Sequence, residues 1–404
     1  MKYDVIVVGA GAIGSYLAYK LASYGYCVAV FERKEKLDGK ICCSGIISTE
    51  CFNSFPIGDE VVLREASSVK VFAPSGASFR LEKDAVQAYI IDRPALNVHL
   101  ADKAQANGVI YFLSARVTDI IPKPRYVQVN IDRSGEKHVF EARAVALACG
   151  LSNLPQRLGL GKIDDFALGA QAEVNIHGID EVEVYLDQEM APGFFAWLVP
   201  TSTSTGLVGS LSCHKPASHL ERLLSRLHQQ GKISLDGGDL KQKAIPITTL
   251  PRTYAERIIA VGDAAGQVKP TTGGGIYFGL LCADIAAESL RRALAVDDLS
   301  ARRLSQYERE WKAKIDREIA IGYWLRRLYY RMSQKQIEQV FNIVKSKNIH
   351  ELLLNSKAFS FDWHGKLISS ALREPRLLTA LIFGVLVPFS RAQIRRETAA
   401  SRAN

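Results

Sequence analysis

Gly262-Asp263-Ala264-Ala265-Gly266-Gln267-Val268-Lys269-Pro270-Thr271-Thr272-Gly273-Gly274-Gly275-Ile276 is the stretch on which the reading of this chain turns. A short apolar run, Ile258-Ile259-Ala260-Val261, precedes it, and helical periodicity over 276–294 follows. The order is strand, acid, glycine loop, helix. Three consecutive glycines let backbone lie against a flat ring with no Cβ in the way. The first N–H groups of the following helix have no intrahelical acceptor and carry a partial positive charge, so they face whatever the loop holds. Asp263 is placed to hydrogen-bond a polyol chain. A flat ring, a carbonyl edge and a polyol together are FAD, and the helix end would stabilise the anionic reduced flavin, the hydride donor.

The other half of such a site is written near the start. An apolar run over 2–8 leads into Gly9-Ala10-Gly11-Ala12-Ile13-Gly14, residues 12–23 have helical periodicity, and a second apolar run over 27–31 is closed by Glu32. This is a βαβ unit with an acid about twenty residues past its glycines, the context the dinucleotide fingerprint requires. Gly9 permits the tight turn, Gly11 the approach of N–H groups to a pyrophosphate, and Gly14 the packing of helix on strand, with the helix N-terminus facing the phosphates. Glu32 would accept the ribose hydroxyls of an adenosine without a 2′-phosphate. An NAD-binding Rossmann unit is the competing reading of these glycines; the distal loop turns it to FAD.

With the distal loop, three further segments resemble the geranylgeranyl reductase family, flavoproteins of the para-hydroxybenzoate hydroxylase structural class, in its archaeal-type digeranylgeranylglycerophospholipid reductase form. Pro192-Gly193-Phe194-Phe195-Ala196-Trp197-Leu198-Val199-Pro200 is similar to the family's cavity pattern of Pro, two residues, Tyr, any, Trp, any, Phe, Pro. Phe195 stands for the Tyr and Val199 for the Phe, so the phenol is absent and the apolar wall remains. Lys40-Ile41-Cys42-Cys43-Ser44-Gly45-Ile46-Ile47-Ser48 resembles the family's cysteine loop, and Ile91-Asp92-Arg93-Pro94-Ala95-Leu96 its Asp-Arg helix start. Ala148-Cys149-Gly150 departs by one residue from the Ala-Asp-Gly that usually ends the third Rossmann strand.

The resemblance runs over residues 1–330 and implies FAD contacts at Gly9, Gly11, Ile13, Gly14, Glu32, Arg33, Cys42, Cys43, Gly45, Arg93, Val117, Asp263, Pro270, Gly274, Gly275 and Ile276. It implies substrate contacts at Phe194, Phe195, Trp197 and Pro200. The implied reaction saturates C=C bonds of a geranylgeranyl or other polyprenyl chain, whether carried by a lipid, a diphosphate or a quinone. Hydride passes from flavin N5 to one alkene carbon and a proton to the other. Cys42 or Cys43, or a flavin-bound water, is the candidate proton donor. No second glycine fingerprint is present, so electrons would come from transiently bound NAD(P)H or from a ferredoxin.

The expected fold is α/β: a Rossmann-like FAD-binding domain of the glutathione reductase type, an inserted antiparallel β-sheet substrate domain and a helical C-terminal region. FAD-binding segments are expected at 1–66, 88–165 and 255–300, the substrate sheet at 67–87 and 166–254, and basic helices over 301–404. At 404 residues and 48% hydrophobic content the chain can bury cores for two domains. Seven cysteines without regular spacing suggest neither a disulfide framework nor a zinc site, which fits a reducing cytoplasm. The apolar start carries Asp4 and is used by the βαβ unit, so no signal peptide is expected.

Charge is uneven. Residues 301–404 hold 20 Lys+Arg against 9 Asp+Glu, whereas the rest of the chain holds 31 against 33. Within that quarter an apolar run over 377–389 is flanked by Arg373, Arg376, Arg391, Arg395 and Arg396. It falls short of the ~20 residues that span a bilayer. Residues 373–396 therefore read either as an interfacial helix on anionic lipid at the inner membrane face or as a terminal core helix with solvated arginines. No basic face with interleaved aromatics points to nucleic acid. Two other functions compete: a flavin-dependent monooxygenase or halogenase of the same fold, and a non-catalytic prenyl-lipid-binding flavoprotein. Gly266 stands where such monooxygenases often carry His.

Overall fold

The computed structural model describes residues 2–235, 239–356, 359–365 and 367–368. Its central strands are the β-branched runs of the sequence. Val5–Val8 of the strand Lys2–Val8, and all of Val28–Phe31, are buried on both faces, as parallel strands covered on each side must be. Alternate residues serve opposite cores. Val5, Val7, Val28 and Val30 meet the helices Ala12–Ser23, Arg93–Ala106 and Ile276–Ala295, while Ile6, Val8, Ala29 and Phe31 meet Val127, Val129 and Ile131.

Parallel neighbours run in the order Ile110–Phe112, Val28–Phe31, Lys2–Val8, Glu136–Leu147, Ile258–Ala260, with Tyr254–Ala255 antiparallel at the edge. The strand Glu136–Leu147 belongs to two arrangements. Its first half pairs antiparallel in a meander with Val127–Arg133 and Ala115–Pro122; its second half joins Lys2–Val8 in parallel.

A second eight-stranded sheet is built from Ser68–Phe72 and Ser78–Glu82 together with strands between Phe166 and Pro246. It is mixed, which corrects the expected antiparallel sheet: Val182–Tyr185 lies parallel to Ser68–Phe72. These strands come from two separate passages of the chain, so no hairpin turn imposes an antiparallel partner. Helix Pro216–Gln229 covers the back of this sheet, burying Leu220, Leu223 and Leu227 on Ala196, Leu198 and Val208. A three-stranded sheet of Ile46–Ser48, Ala88–Ile91 and Val62–Ala66 stands beside both.

The C-terminal helices Ala301–Trp311 and Arg317–Tyr330 join through one turn of π-helix at Lys312–Asp316. They are anchored by buried polar aromatics: the Tyr307 hydroxyl donates to the Ala260 carbonyl at 2.9 Å, and Trp311 Nε1 to Thr253 Oγ1 at 2.9 Å. After Gln334–Ser346 and Ile349–Leu354 the helical run expected over 301–404 is interrupted, because residues 359–363 are non-helical. The expected membrane-seeking segment 373–396 lies outside the described residues. Among the described residues no helix is long and apolar enough to cross a membrane.

Leu290 is fully buried on the helix Ile276–Ala295, in the same core as Val5 and Val30. Leu290→Ala is expected to lower unfolding free energy by about 2–5 kcal/mol in denaturant titration. A loss below about 1 kcal/mol would contradict this placement of the helix.

Candidate functional site

The N-terminal turn is built by close approach. Gly9 has φ +105, and a Cβ there would stand 2.5 Å from the Ala148 carbonyl oxygen. A Cβ at Gly14 would stand 2.0 Å from the Gly9 carbonyl oxygen, so the helix can rest on the turn only because Gly14 has no side chain. Gly11, the N-cap of that helix, has no atom within 4 Å of its Cβ position and no side-chain cap. Glu32 accepts the N–H groups of Ala10 and Lys34, each at 2.9 Å. A carboxylate has about four lone-pair sites, so two remain for a ligand hydroxyl.

These turns open on a cleft of about 940 Å³ between the two large sheets. Gly9, Gly11, Ile13, Glu32, Arg33 and Val117 line it. So do Asp263, Gly274, Gly275, Ile276 and Arg93, together with Cys42 and Cys43. The second sheet contributes Phe195 and Trp197, with Val184, Leu211 and Ile245 beside them.

Five expected site residues lie off the cleft. Gly14 is used up by the helix-on-turn packing, and Gly45 is pressed to the small sheet, where its Cβ would meet the Ile91 carbonyl oxygen at 2.3 Å. Pro270 packs toward Gly322 of the C-terminal helices. Phe194 precedes its strand, which begins at Ala196, and its ring lies 4.6 Å beneath the Arg326 guanidinium. Pro200 ends that strand opposite Gly206. Period-two alternation, not proximity in sequence, decides which aromatic of the motif faces the cleft.

Charge in the cleft is arranged in pairs. Lys243 donates to Asp263 Oδ2 at 2.8 Å, and the Asp263 carboxylate raises the ammonium's pKa above its usual value against burial. One oxygen of Asp263 is therefore already engaged. Arg93 stands at the first turn of its helix, behind the Asp92 cap, and one of its terminal nitrogens donates to Asn97 Oδ1 at 3.2 Å. Its buried Nε has no hydrogen-bond partner among the described residues, and neither has Trp197 Nε1. Burial, then the neighbouring Cys43, pushes the Cys42 thiol up to about 12.

Lys243, Lys269, residues 359–362 and His364 were not foreseen as cleft residues, although Lys269 sits within the opening motif. No local pattern marks Phe361-Asp362-Trp363-His364 as part of a site formed by the first residues of the chain.

The site suits FAD. Open backbone at Gly11, an uncapped helix start at Ile276 and an orphaned guanidinium nitrogen are what a diphosphate and a flat polar ring would satisfy. A Rossmann-like sheet whose glycine turns open on a cleft shared with a second sheet defines an FAD-dependent flavoprotein. More narrowly, the chain belongs to the family described as lycopene cyclase protein, whose model matches residues 4–355.

Among its relatives is the digeranylgeranylglycerophospholipid reductase of Methanocaldococcus jannaschii, 29% identical over 83% of this chain and 89% of that protein. Digeranylgeranylglycerophospholipid reductase 2 of Methanothermobacter thermautotrophicus is 28% identical over 87% of this chain and 94% of that one. Among solved structures, a geranylgeranyl bacteriochlorophyll reductase-like protein from Thermoplasma acidophilum superposes with TM-score 0.82 at 20% identity, covering 95% and 99% of the two chains. A p-nitrophenol 4-monooxygenase from Pseudomonas putida superposes at 0.69, with 18% identity over 87% and 96%. At these identities the two structures speak for the fold alone.

With its thiol pushed up to about 12, Cys42 is protonated at neutral pH. Native protein is expected to resist iodoacetamide at Cys42 at pH 8, with labelling read by peptide mass spectrometry and rising about tenfold per pH unit above it. Labelling at pH 8 as fast as in denatured protein would refute the buried placement.

Proposed function

We propose that this protein saturates C=C bonds of a polyprenyl chain, a geranylgeranyl lipid foremost, using FAD. The observation that carries the reading is the shared cleft, in which glycine turns suited to FAD open onto an apolar wall of Phe195, Trp197, Leu211 and Ile245. Relatives named for geranylgeranyl lipid reduction match most of the chain and support the substrate class. An apolar aromatic wall of this kind favours a long hydrocarbon over a small charged acid.

FAD would supply hydride from N5 to one alkene carbon. The chain's own residues do the rest. Gly9, Gly11 and the helix Ala12–Ser23 would hold the diphosphate, Glu32 the ribose, and Asp263 the ribityl chain through the oxygen that Lys243 does not engage. The uncapped start of helix Ile276–Ala295 would offer its unpaired N–H groups to the flavin's carbonyl edge. Phe195 and Trp197 orient the alkene and exclude water, which converts a two-body encounter into a positioned one. Cys42 keeps a proton on Sγ at neutral pH and is the proposed donor to the second alkene carbon, with Cys43 beside it. Electrons would reach the cofactor from NAD(P)H or a reduced ferredoxin.

In this reading residues 1–66, 88–165 and 255–300 bind FAD, 67–87 and 166–254 form the substrate side, and the basic C-terminal region sits at the inner face of a membrane. The charge surplus of residues 301–404 supports that last point. Full-length protein is expected to co-sediment with phosphatidylglycerol vesicles at low salt and to be released at high salt, as screened electrostatics requires. Equal recovery with neutral vesicles would remove the electrostatic part of the proposal.

The central test is anaerobic. Photoreduced protein is given geranylgeranyl diphosphate and then a geranylgeranyl diether lipid, and flavin reoxidation is followed with product mass. The expected result is reoxidation with a gain of about two mass units per bond, one hydride plus one proton. Flavin that stays reduced until air is admitted would overturn the reading in favour of a monooxygenase or halogenase. Trp197→Ala is expected to lower kcat/KM for the lipid about 30-fold through lost aromatic contact, about 2 kcal/mol.

A further inference from the structure

A buried cation stands against the glycine loop, and its partner comes from the far end of the chain. Lys269 is 7% exposed and lines the cleft. Its Nζ lies 2.5 Å from Oδ1 of Asp362, which is 3% exposed. The other oxygen of Asp362 accepts the hydroxyl of Ser48, and Ser48 Oγ in turn accepts the Cys51 N–H at 2.8 Å as cap of the helix Thr49–Ser54.

The segment that carries Asp362 is fastened at several points. The His364 ring meets the Thr271 hydroxyl at 3.0 Å, Trp363 Nε1 donates to Glu50 at 3.1 Å, and the Gly365 N–H to Glu318 at 2.7 Å. Asp362 is thus delivered to Lys269 by a strap tied to both sides of the cleft.

Removing two charges from water is costly, and a buried ion pair is often no more stabilising than an apolar pair of the same size. The location supplies a reason for this one. A Cβ at Gly274 would stand 3.0 Å from Lys269 Cε and 3.6 Å from its Nζ. Gly274 and Gly275 lead into the uncapped start of Ile276–Ala295, so the ammonium and the helix dipole add positive potential on the same side of the cleft. A neutral flavin that takes up two electrons and one proton carries one negative charge. A nearby cation therefore favours the reduced over the oxidised form, and a carboxylate paired with that cation cancels part of the effect, strongly so away from bulk water.

We propose that Lys269 stabilises the reduced cofactor and that Asp362, on the strap over 359–365, limits the effect. Lys269 raises the flavin's reduction potential and Asp362, a positioning residue acting through Lys269, lowers it. The inference rests on the FAD reading above and deepens it. An isolated alkene is a poor hydride acceptor, so a reduced flavin held too firmly would not react. The opposed pair sets a compromise between storing the electrons and releasing them.

The test is the two-electron midpoint potential of bound FAD, measured by anaerobic dye-coupled titration of full-length wild type, Lys269→Met, Lys269→Arg and Asp362→Asn, with FAD affinity followed by fluorescence. Lys269→Met is expected to bind reduced FAD at least tenfold less well relative to oxidised FAD, a midpoint about 30 mV lower. Lys269→Arg stays near wild type, and Asp362→Asn shifts upward. Opposite signs are the signature, since merely loosening the loop would move both variants the same way. Shifts of one sign, or none, with FAD bound would overturn this inference and leave the reductase reading standing. Should Asp362→Asn not fold, the Met and Arg variants at 269 decide alone. Wild type that binds no FAD would overturn both readings.

Discussion

The fold depends on one close contact. Ile13, at the start of the first helix, lies in a slot between Gly262 and Gly279. A Cβ at Gly279 would stand 2.6 Å from Ile13 Cδ1, and one at Gly262 3.1 Å from Ile13 Cγ2. Two turns far apart in the sequence are thereby pressed together above the ends of the strands Lys2–Val8 and Ile258–Ala260, which are not neighbours in the sheet. An added Cβ at either glycine would have to displace the Ile13 side chain, so the two bare positions let the turns approach this closely in a densely packed core.

From that contact the polar interior follows. Gln267 accepts the Gly262 N–H at 2.8 Å and donates to the Tyr307 hydroxyl at 2.9 Å, which ties the distal turn to the C-terminal helices. The cleft's charges are then met by partners from elsewhere: Lys243 by Asp263, Lys269 by Asp362, Glu32 by two backbone N–H groups. Pairing offsets desolvation most for Lys269 and Asp362, whose side chains are 9% and 2% exposed. The site is a set of nearly balanced pairs, and a ligand that brings charge acts on that balance.

The substrate side obeys a different rule. Along Ala196–Pro200 alternate side chains face opposite ways, with Ala196 and Leu198 on the helix Pro216–Gln229 and Trp197 and Val199 on the other core. The aromatic motif was legible as a cavity wall, but its membership was not. Phe194 and Pro200 belong to the motif and not to the cleft: the Phe194 ring packs under Arg326, and Pro200 ends the strand opposite Gly206. The unforeseen Leu211 and Ile245 lie on strands whose register only the assembled sheet defines.

What the sequence determined by itself was local or short-range in cause. Glycine turns, a strand before each, an acid after the second strand and a helix after the distal loop are set by sterics and periodicity, and they read directly as a Rossmann-like FAD fold with an inserted sheet. The parallel pairing of Val182–Tyr185 with Ser68–Phe72 was not legible, since no turn joins the two strands. Nor was the return of Asp362 to Lys269. An ion pair 93 residues apart leaves no periodic trace in either segment, and a lone aspartate among aromatics looks like any surface residue until the fold buries it. Tertiary structure alone made that decision, because burial and charge pairing are properties of the assembled molecule rather than of any stretch of chain.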